Sequence, residues 1–243
     1  MTFSIVARCP RTGMLGVATS SKALAAGGMV PYCRARVGAI ASQSFANPYL
    51  GIEGLTFLEQ GLAAARVLER IIESDRGRYL RQVAIVDRDG HTAAYTGDKC
   101  IPWAGAVEGS GHVCLGNILV SEDVTKALSH AFETSANEAL PERLLRALEA
   151  GQEAGGDRRG RQSAGIHIVH TEEYPYCDLR VDDHPEPVAE LRRLYSVFQR
   201  EEEPFLSMAP RKDDYTPDWE AAIRIREMIE SSLEEEAAAT RER

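Results

Sequence analysis

The sequence predicts an α+β fold in which two mainly antiparallel sheets stack face to face with helices outside. Strand-like segments come in hairpin groups, marked by Pro10-Arg11-Thr12-Gly13 near the start and by Asp89-Gly90 further on. Helical sequence falls between those groups rather than after every strand. That order argues against a parallel doubly wound sheet, in which strand and helix alternate.

The elements follow in order. Thr2-Phe3-Ser4-Ile5-Val6-Ala7 and Met14 to Ser20 read as a hairpin through the Pro10–Gly13 turn. Ser21 to Pro31 is rich in alanine and glycine and reads as a loop, and Ala35 to Gln43 as a third strand. Between Gly54 and Glu73, Leu55, Leu58, Leu62, Ala65, Leu68, Ile71 and Ile72 recur at helical spacing, as two helices broken near Gly61. Arg81 to Thr96 reads as a second hairpin; a short strand at His112–Asn117 follows a glycine-rich stretch. Helices are predicted over about 122–134 and 138–151, strands over 163–170 and 177–181, and a helix over 186–199 entered through Pro185 and Pro187. The composition changes near Pro204, which sets the expected domains at 1–203 and 204–243. The extension carries an acidic amphipathic helix with Trp219, Ile223, Ile225, Met228, Ile229 and Leu233 on its apolar side.

Composition narrows the function. A net charge of −9 argues against nucleic acid as the main partner, because binding phosphates takes a basic surface. No apolar run is long enough to span a membrane, and the opening lacks a basic stretch followed by an apolar one, so a cytoplasmic location is expected. The five cysteines form no CxxC pair, so neither a disulfide framework nor a zinc site is indicated. Asp182-Asp183-His184 has metal-ligating residue types, but adjacent residues rarely face one ion; no metal and no cofactor are expected.

Thr2 is the most informative residue. If Met1 is removed, one residue at the head of the first strand carries both a free amine and a hydroxyl. The amine is a base and the hydroxyl a latent nucleophile, one of the recognised nucleophile–base arrangements. The second informative segment is Gly155-Gly156-Asp157-Arg158-Arg159-Gly160-Arg161-Gln162-Ser163, which presents an acid, arginines and a serine where a helix crosses to a strand. By itself this reads as an ion-paired loop. His112 and Cys114 alternate on a strand and face one side, a candidate pocket lining.

These segments resemble the family called domain of unknown function 1028. The resemblance runs through Thr2–Ala7 with Thr12-Gly13 and Gly16-Val17-Ala18, Gln43-Ser44-Phe45-Ala46-Asn47-Pro48, Trp103-Ala104-Gly105, Gly116-Asn117, the 155–163 segment, and Asp178 to Pro187, about residues 2 to 200. It implies the proteasome-like αββα fold of the N-terminal nucleophile (Ntn) hydrolases and an amide-bond hydrolase, with no substrate assigned. The nucleophilic threonine of that pattern matches Thr2, and its late acid and serine resemble Asp157 and Ser163. Its basic residue has no clean match: Lys22 lies in a suitable loop but early, and Arg36 opens the third strand. Its acid after the second strand is missing, since the chain there reads Thr19-Ser20-Ser21.

The resulting expectation is a hydrolase of a small-molecule or peptide amide, self-associating as a homo-oligomer and binding neither nucleic acid nor membrane. Thr2, Asp157, Ser163, Lys22 and Asn117 are its candidate catalytic residues, with Asn117 and the backbone near Gln43 to Phe45 as oxyanion donors. Arg36, Ser44, His112 and Arg161 are the candidate substrate-binding residues. The competing reading is a non-catalytic oligomeric binding or scaffold protein on the same fold, with Thr2 blocked by Met1. A peptide- or cell-wall-binding protein that docks through its C-terminal helix is a third reading.

Overall fold

The computed structural model describes the backbone of residues 2–214 and 218–241, and their side chains except at 207 and from 232 onward. Met1, Leu233's side chain and the end of the C-terminal extension therefore lie outside the described residues. The chain forms two compact units, one up to Arg192 and one from Arg193. The break falls inside a helix, Pro187–Glu201, rather than at the composition change near 204. The start of that helix is held to the first unit by Arg192, which pairs with Glu142 and Glu149.

Among the described residues, the first unit holds ten strands: β1 (Thr2–Arg8), β2 (Leu15–Ser21), β3 (Pro31–Arg34), β4 (Gly38–Ser44), β5 (Arg81–Asp87), β6 (Thr92–Thr96), β7 (Gly105–Gly109), β8 (His112–Asn117), β9 (Ser163–Val169) and β10 (Cys177–Val181). They build a six-stranded sheet ordered β10-β9-β2-β1-β8-β7 and a four-stranded sheet ordered β3-β4-β5-β6. Every pairing is antiparallel.

Two boundaries differ from the sequence reading. The predicted third strand, Ala35 to Gln43, is β4 and starts only at Gly38; before it β3 forms over Pro31–Arg34, where no strand is predicted, and Arg36, with a positive φ of 62°, turns the chain between the two. The glycine-rich stretch contains a strand, β7; glycine's low strand propensity hides an element that pairing along β8 stabilises.

Helices α1 (Pro48–Glu59) and α2 (Ala64–Ser74) cover the smaller sheet, while α3 (Asp123–Thr134) and α4 (Leu140–Glu153) cover the larger one. The result is a four-layer αββα sandwich. Side-chain alternation explains the layering. In β1, Phe3 and Ile5 point to the helices, and Phe3 lies against Gly151 of α4. Val6 instead joins Val17, Val113, Leu115, Ala39, Ala41, Ala84 and Val86 in the core between the sheets. A second core, under α1 and α2, collects Ile40, Val83, Ile85, Leu58, Val67 and Ile71. The close approach of layers relies on small residues: a Cβ on Gly16 would lie 2.9 Å from Ile168 and 3.0 Å from Leu144.

The second unit continues the helix that begins at Pro187, adds a short 3-10 turn over Glu203–Ser207, and ends in α6 (Trp219–Arg241), counting Pro187–Glu201 as α5. Within it, Ala221 and Ile225 are buried and Trp219, Ile223, Met228 and Ile229 are exposed. Among the described residues, no helix is long and apolar enough to cross a membrane.

One buried carboxylate ties down the open end of β4. Asp75, just beyond α2, accepts from Arg81 Nε at 2.8 Å, Gly77 N at 2.7 Å and Asn47 Nδ2 at 3.2 Å. Asn47 in turn caps α1 by accepting from Tyr49 N, and Arg81 also donates to the Phe45 carbonyl at 2.6 Å. Burial alone would raise the Asp75 pKa, but the donated hydrogen bonds, Arg81 foremost, hold it below the ordinary carboxylate value. A depressed native pKa contributes stability above the unfolded value, about 3.9, that is lost as the pH falls through the native one. Asp75→Asn should therefore cost about 2 kcal/mol at neutral pH, and the gap to the parent should close below about pH 4, measured by urea unfolding across pH.

Candidate functional site

Thr2 opens β1 with its side chain between the sheets, on the same face as Ser4 and Val6. Register then places its neighbours. Thr2 pairs with Asn117 of β8, the Phe3–Ser20 register continues to set Thr2 beside Ser21 of β2, and Ser21 pairs with Ser163 of β9. One row across the larger sheet thus reads Asn117, Thr2, Ser21, Ser163. Opposite it, the smaller sheet presents the row Gln43, Gln82, Thr96. All of these but Thr96 are at most 5% exposed. One end of the interlayer is therefore polar, while the middle is valine, leucine and alanine.

Buried polar groups are stable only when hydrogen-bonded, and this cluster is. Thr2 Oγ1 donates to Ser21 Oγ at 3.2 Å, and the Thr2 carbonyl accepts from Gln43 Nε2 at 3.3 Å. Ser4 Oγ donates to Gln43 Oε1 at 2.6 Å and lies 2.8 Å from Thr19 Oγ1. Gln82 is the hub. Its Oε1 accepts from Gln43 Nε2 at 2.8 Å and Asn117 Nδ2 at 2.9 Å, and its Nε2 donates to the Gly116 carbonyl at 2.7 Å and to Thr96 Oγ1 at 3.1 Å.

Strained backbone sits beside this cluster. Ser44, next to Gln43, has φ 72°, and Ile118, next to Asn117, has φ 51°. A β-branched residue in that region is a true outlier, worth about 1–3 kcal/mol, and such strain gathers at functional sites. Ile118 is held there by donating its N–H to the Ile101 carbonyl and accepting from Arg158 N.

Ser163 ends the row and Asp157 lies at the same end of the sandwich, and both hold the loop after β2. The Asp157 carboxylate, with 2% side-chain exposure, accepts from Lys22 N at 2.9 Å, Arg159 N at 2.8 Å and Arg159 Nη2 at 3.2 Å. Ser163 Oγ donates to the Ala23 carbonyl at 2.6 Å and accepts from Ala26 N at 3.1 Å. The two residues anchor both sides of the loop after β2. Gly155 and Gly156 take positive φ to make the turn into Asp157, and a Cβ on Gly156 would press on Phe3.

The remaining predicted residues are dispersed. Lys22 is exposed and its ammonium donates to the Arg161 carbonyl at 3.2 Å; its backbone, not its charge, reaches Asp157. Arg36 stands in the β3–β4 turn, at the end of β4 away from Gln43, and donates to the Thr171 carbonyl. His112 starts β8 opposite Ala7, at the far end from Asn117. It faces the helices, bonded to Ser129 Oγ at 2.8 Å and packed on Phe132, and burial lowers its pKa; it does not line the interlayer. Arg161 is exposed and paired with Glu186. Ser44 adjoins Gln43 but is marked by its backbone conformation. The Phe45 N–H donates to the Leu80 carbonyl at 3.3 Å.

Ser21, Gln43, Gln82, Ser4 and Thr19 were not among the predicted site side chains. Their signal was parity: Gln43 and Gln82 share the inward positions of β4 and β5 with alanine and valine, and Ser4, Thr19 and Ser21 continue the inward series of Val6 and Val17 on β1 and β2. Among the described residues, the group with metal-ligand geometry is Asp87, Asp89 and His91, whose ligand atoms lie within 4.8 Å of one another. It sits at the opposite end of β5 from Gln82, where Asp87 Oδ1 accepts from Asp89 N and His91 N to close the β5–β6 turn.

Replacing Gln82 by Leu would strand the Asn117 and Gln43 donors and the Gly116 carbonyl in a buried layer. It should cost at least about 3 kcal/mol in chemical unfolding, more than Gln82→Glu measured at a pH where the glutamate is neutral.

Comparison with known proteins agrees with this architecture. A family model described as "Family of unknown function (DUF1028)" matches residues 2–191. The crystal structure of SPO2555 from Silicibacter pomeroyi, itself matched to that family, is 31% identical, covers 89% of this chain and 94% of its own, and superposes with a TM-score of 0.82. Anbu, an ancestral β-subunit from Yersinia bercovieri, aligns at 11% identity over 82% of this chain and 97% of its own, with a TM-score of 0.37. None of the curated proteins matches. With the family model spanning the whole sandwich and a relative of the same fold at 31% identity, the chain belongs to the DUF1028 family of unknown function.

Proposed function

We propose that this protein is an Ntn-type hydrolase whose nucleophile is Thr2, cleaving an amide or related C–N bond of a small molecule or peptide. One observation carries the reading: the Thr2 hydroxyl opens β1 inside the polar end of the interlayer, hydrogen-bonded to Ser21 and in register with Asn117. Once Met1 is removed, the Thr2 amine accepts the hydroxyl proton and Oγ1 attacks the substrate carbonyl. The negative charge that develops on the carbonyl oxygen needs a fixed donor. Asn117 supplies it: an amide nitrogen carries two protons, and one goes to Gln82. The acyl group passes to Thr2 as an ester, the amine product leaves, and water releases the acid. Asp157 and Ser163 serve by fixing the loop after β2, which sets the position of Ser21.

A second reading has support of its own. Leu24, Phe45, Ile101 and Val120 are exposed on the segments around the polar end, which suits a binding surface with Thr2 blocked and purely structural.

Brief periodate treatment separates the two, because it cleaves the C–C bond between a carbon bearing a free amine and one bearing a hydroxyl, the pair that an unblocked Thr2 presents. The hydrolase reading expects the mass change of an oxidised N-terminal threonine; a population that keeps Met1 and resists periodate would sink it. In an amine-release screen over an amide panel, Thr2→Ala should lose at least about 10²-fold of the parent's activity. The parent's rate should rise with pH through the α-amine's titration, ordinarily about 7.7–8.0, since only the neutral amine accepts a proton.

A further inference from the structure

We infer that Ser21 is a catalytic residue, the relay that carries the Thr2 hydroxyl proton to the Thr2 amine. The inference rests on the reading of Thr2 as the nucleophile.

Thr2 and Ser21 meet hydroxyl to hydroxyl in the buried row of the larger sheet. A threonine hydroxyl has a single proton, and Ser21 Oγ stands within hydrogen-bond distance of it, 3.2 Å from Thr2 Oγ1. Among the described residues, the neighbouring polar side chains turn to other partners. The Asp157 carboxylate accepts from Lys22 N and from Arg159, the Lys22 ammonium donates to the Arg161 carbonyl, and the Ser163 proton is given to the Ala23 carbonyl. Asn117 and Gln43 donate to Gln82 Oε1.

Covalent geometry supplies the need for a relay. Transfer from Oγ straight to the nitrogen of the same residue closes a five-membered ring, with an O–H···N angle below the about 120° at which hydrogen bonds weaken steeply. A second hydroxyl in the path lets both transfers run closer to linear. Ser21 is suited to it because its backbone is immobile: it ends β2, pairs with Ser163, accepts from Gln162 N at 3.1 Å, and is 1% exposed.

The step balances without any outside reagent. The Thr2 O–H bond breaks and its proton goes to Ser21 Oγ, while the Ser21 proton goes to the α-amine, which becomes an ammonium. The freed Oγ pair forms the bond to the substrate carbonyl carbon, and the C=O π pair moves to oxygen. On collapse the C–N bond breaks and the leaving nitrogen takes a proton from the ammonium. Water then cleaves the ester, and Thr2 and Ser21 end as hydroxyls.

The test needs no known substrate. A β-lactone probe acylates Thr2 Oγ1, and intact mass with peptide mapping gives the rate and the site. Ser21→Ala should slow the Thr2 adduct about 10²-fold, whereas Ser21→Thr, which restores a hydroxyl, should stay within about 10-fold of the parent. A proton inventory on the unaltered protein in H2O–D2O mixtures should bow downward, since two protons move together. Ser21→Ala acylating Thr2 at the parent's rate overturns the relay and leaves the nucleophile standing. If that variant does not fold, a linear proton inventory on the parent overturns the relay in its place. A parent whose adduct maps to a residue other than Thr2, or that forms none, overturns the nucleophile reading and the relay with it.

Discussion

Hydrogen-bond satisfaction of a buried polar layer is the constraint on which this structure turns. Two sheets packed face to face normally fill the space between them with aliphatic side chains, and over most of its length this sandwich does so with Val6, Val17, Val113 and Leu115. At one end the filling changes to hydroxyls and amides. Left unpaired, each such group would cost about 1–3 kcal/mol. Gln82 prevents that, by receiving amides from both sheets and returning its own protons to the Gly116 carbonyl and Thr96. The register of β1 against β8, and of β4 against β5, must be right for these side chains to meet. The polar end thus specifies strand pairing.

The same constraint explains how the loops around the cluster are held. Three of the strands that contribute a polar residue there end in a segment pinned by specific hydrogen bonds. Asp75 and Asn47 hold the end of β4, Asp157 and Ser163 hold the loop after β2, and Ile101 and Arg158 clasp Ile118 after β8. Two of these segments store positive-φ strain, at Ser44 and Ile118. A network that over-determines its own loops can keep such conformations and so hold side chains to narrow tolerances, which catalysis by positioned groups demands.

Much of the fold was legible because its signals are local. The Pro10–Gly13 and Asp89-Gly90 turns, the break between α1 and α2 near Gly61 and the helix entry at Pro187 each act over a few residues, and the helices stand where their periodicity put them. β7 was not legible, since Gly105 to Gly109 become a strand only by pairing with β8. The site divides the same way. Thr2, Asn117, Asp157 and Ser163 could be picked out one at a time, and all fall at one end of the sandwich. Arg36, His112 and Arg161 were chosen for their chemistry, and the position of each along its strand or on the surface carries it elsewhere. Ser21, Gln43 and Gln82 are polar residues at strand positions that periodicity marks as inward, yet nothing local says that three strands will bring them together.

By itself the sequence determined the α+β class, the hairpins, the helix positions and a threonine at the head of the first strand, because turns, periodicity and chain order are written in neighbouring residues. Only the tertiary structure decided what that threonine faces. Its hydroxyl meets Ser21 rather than a lysine, and Asp157 anchors a loop rather than touching it, because those contacts depend on strand register and on two sheets closing over one another.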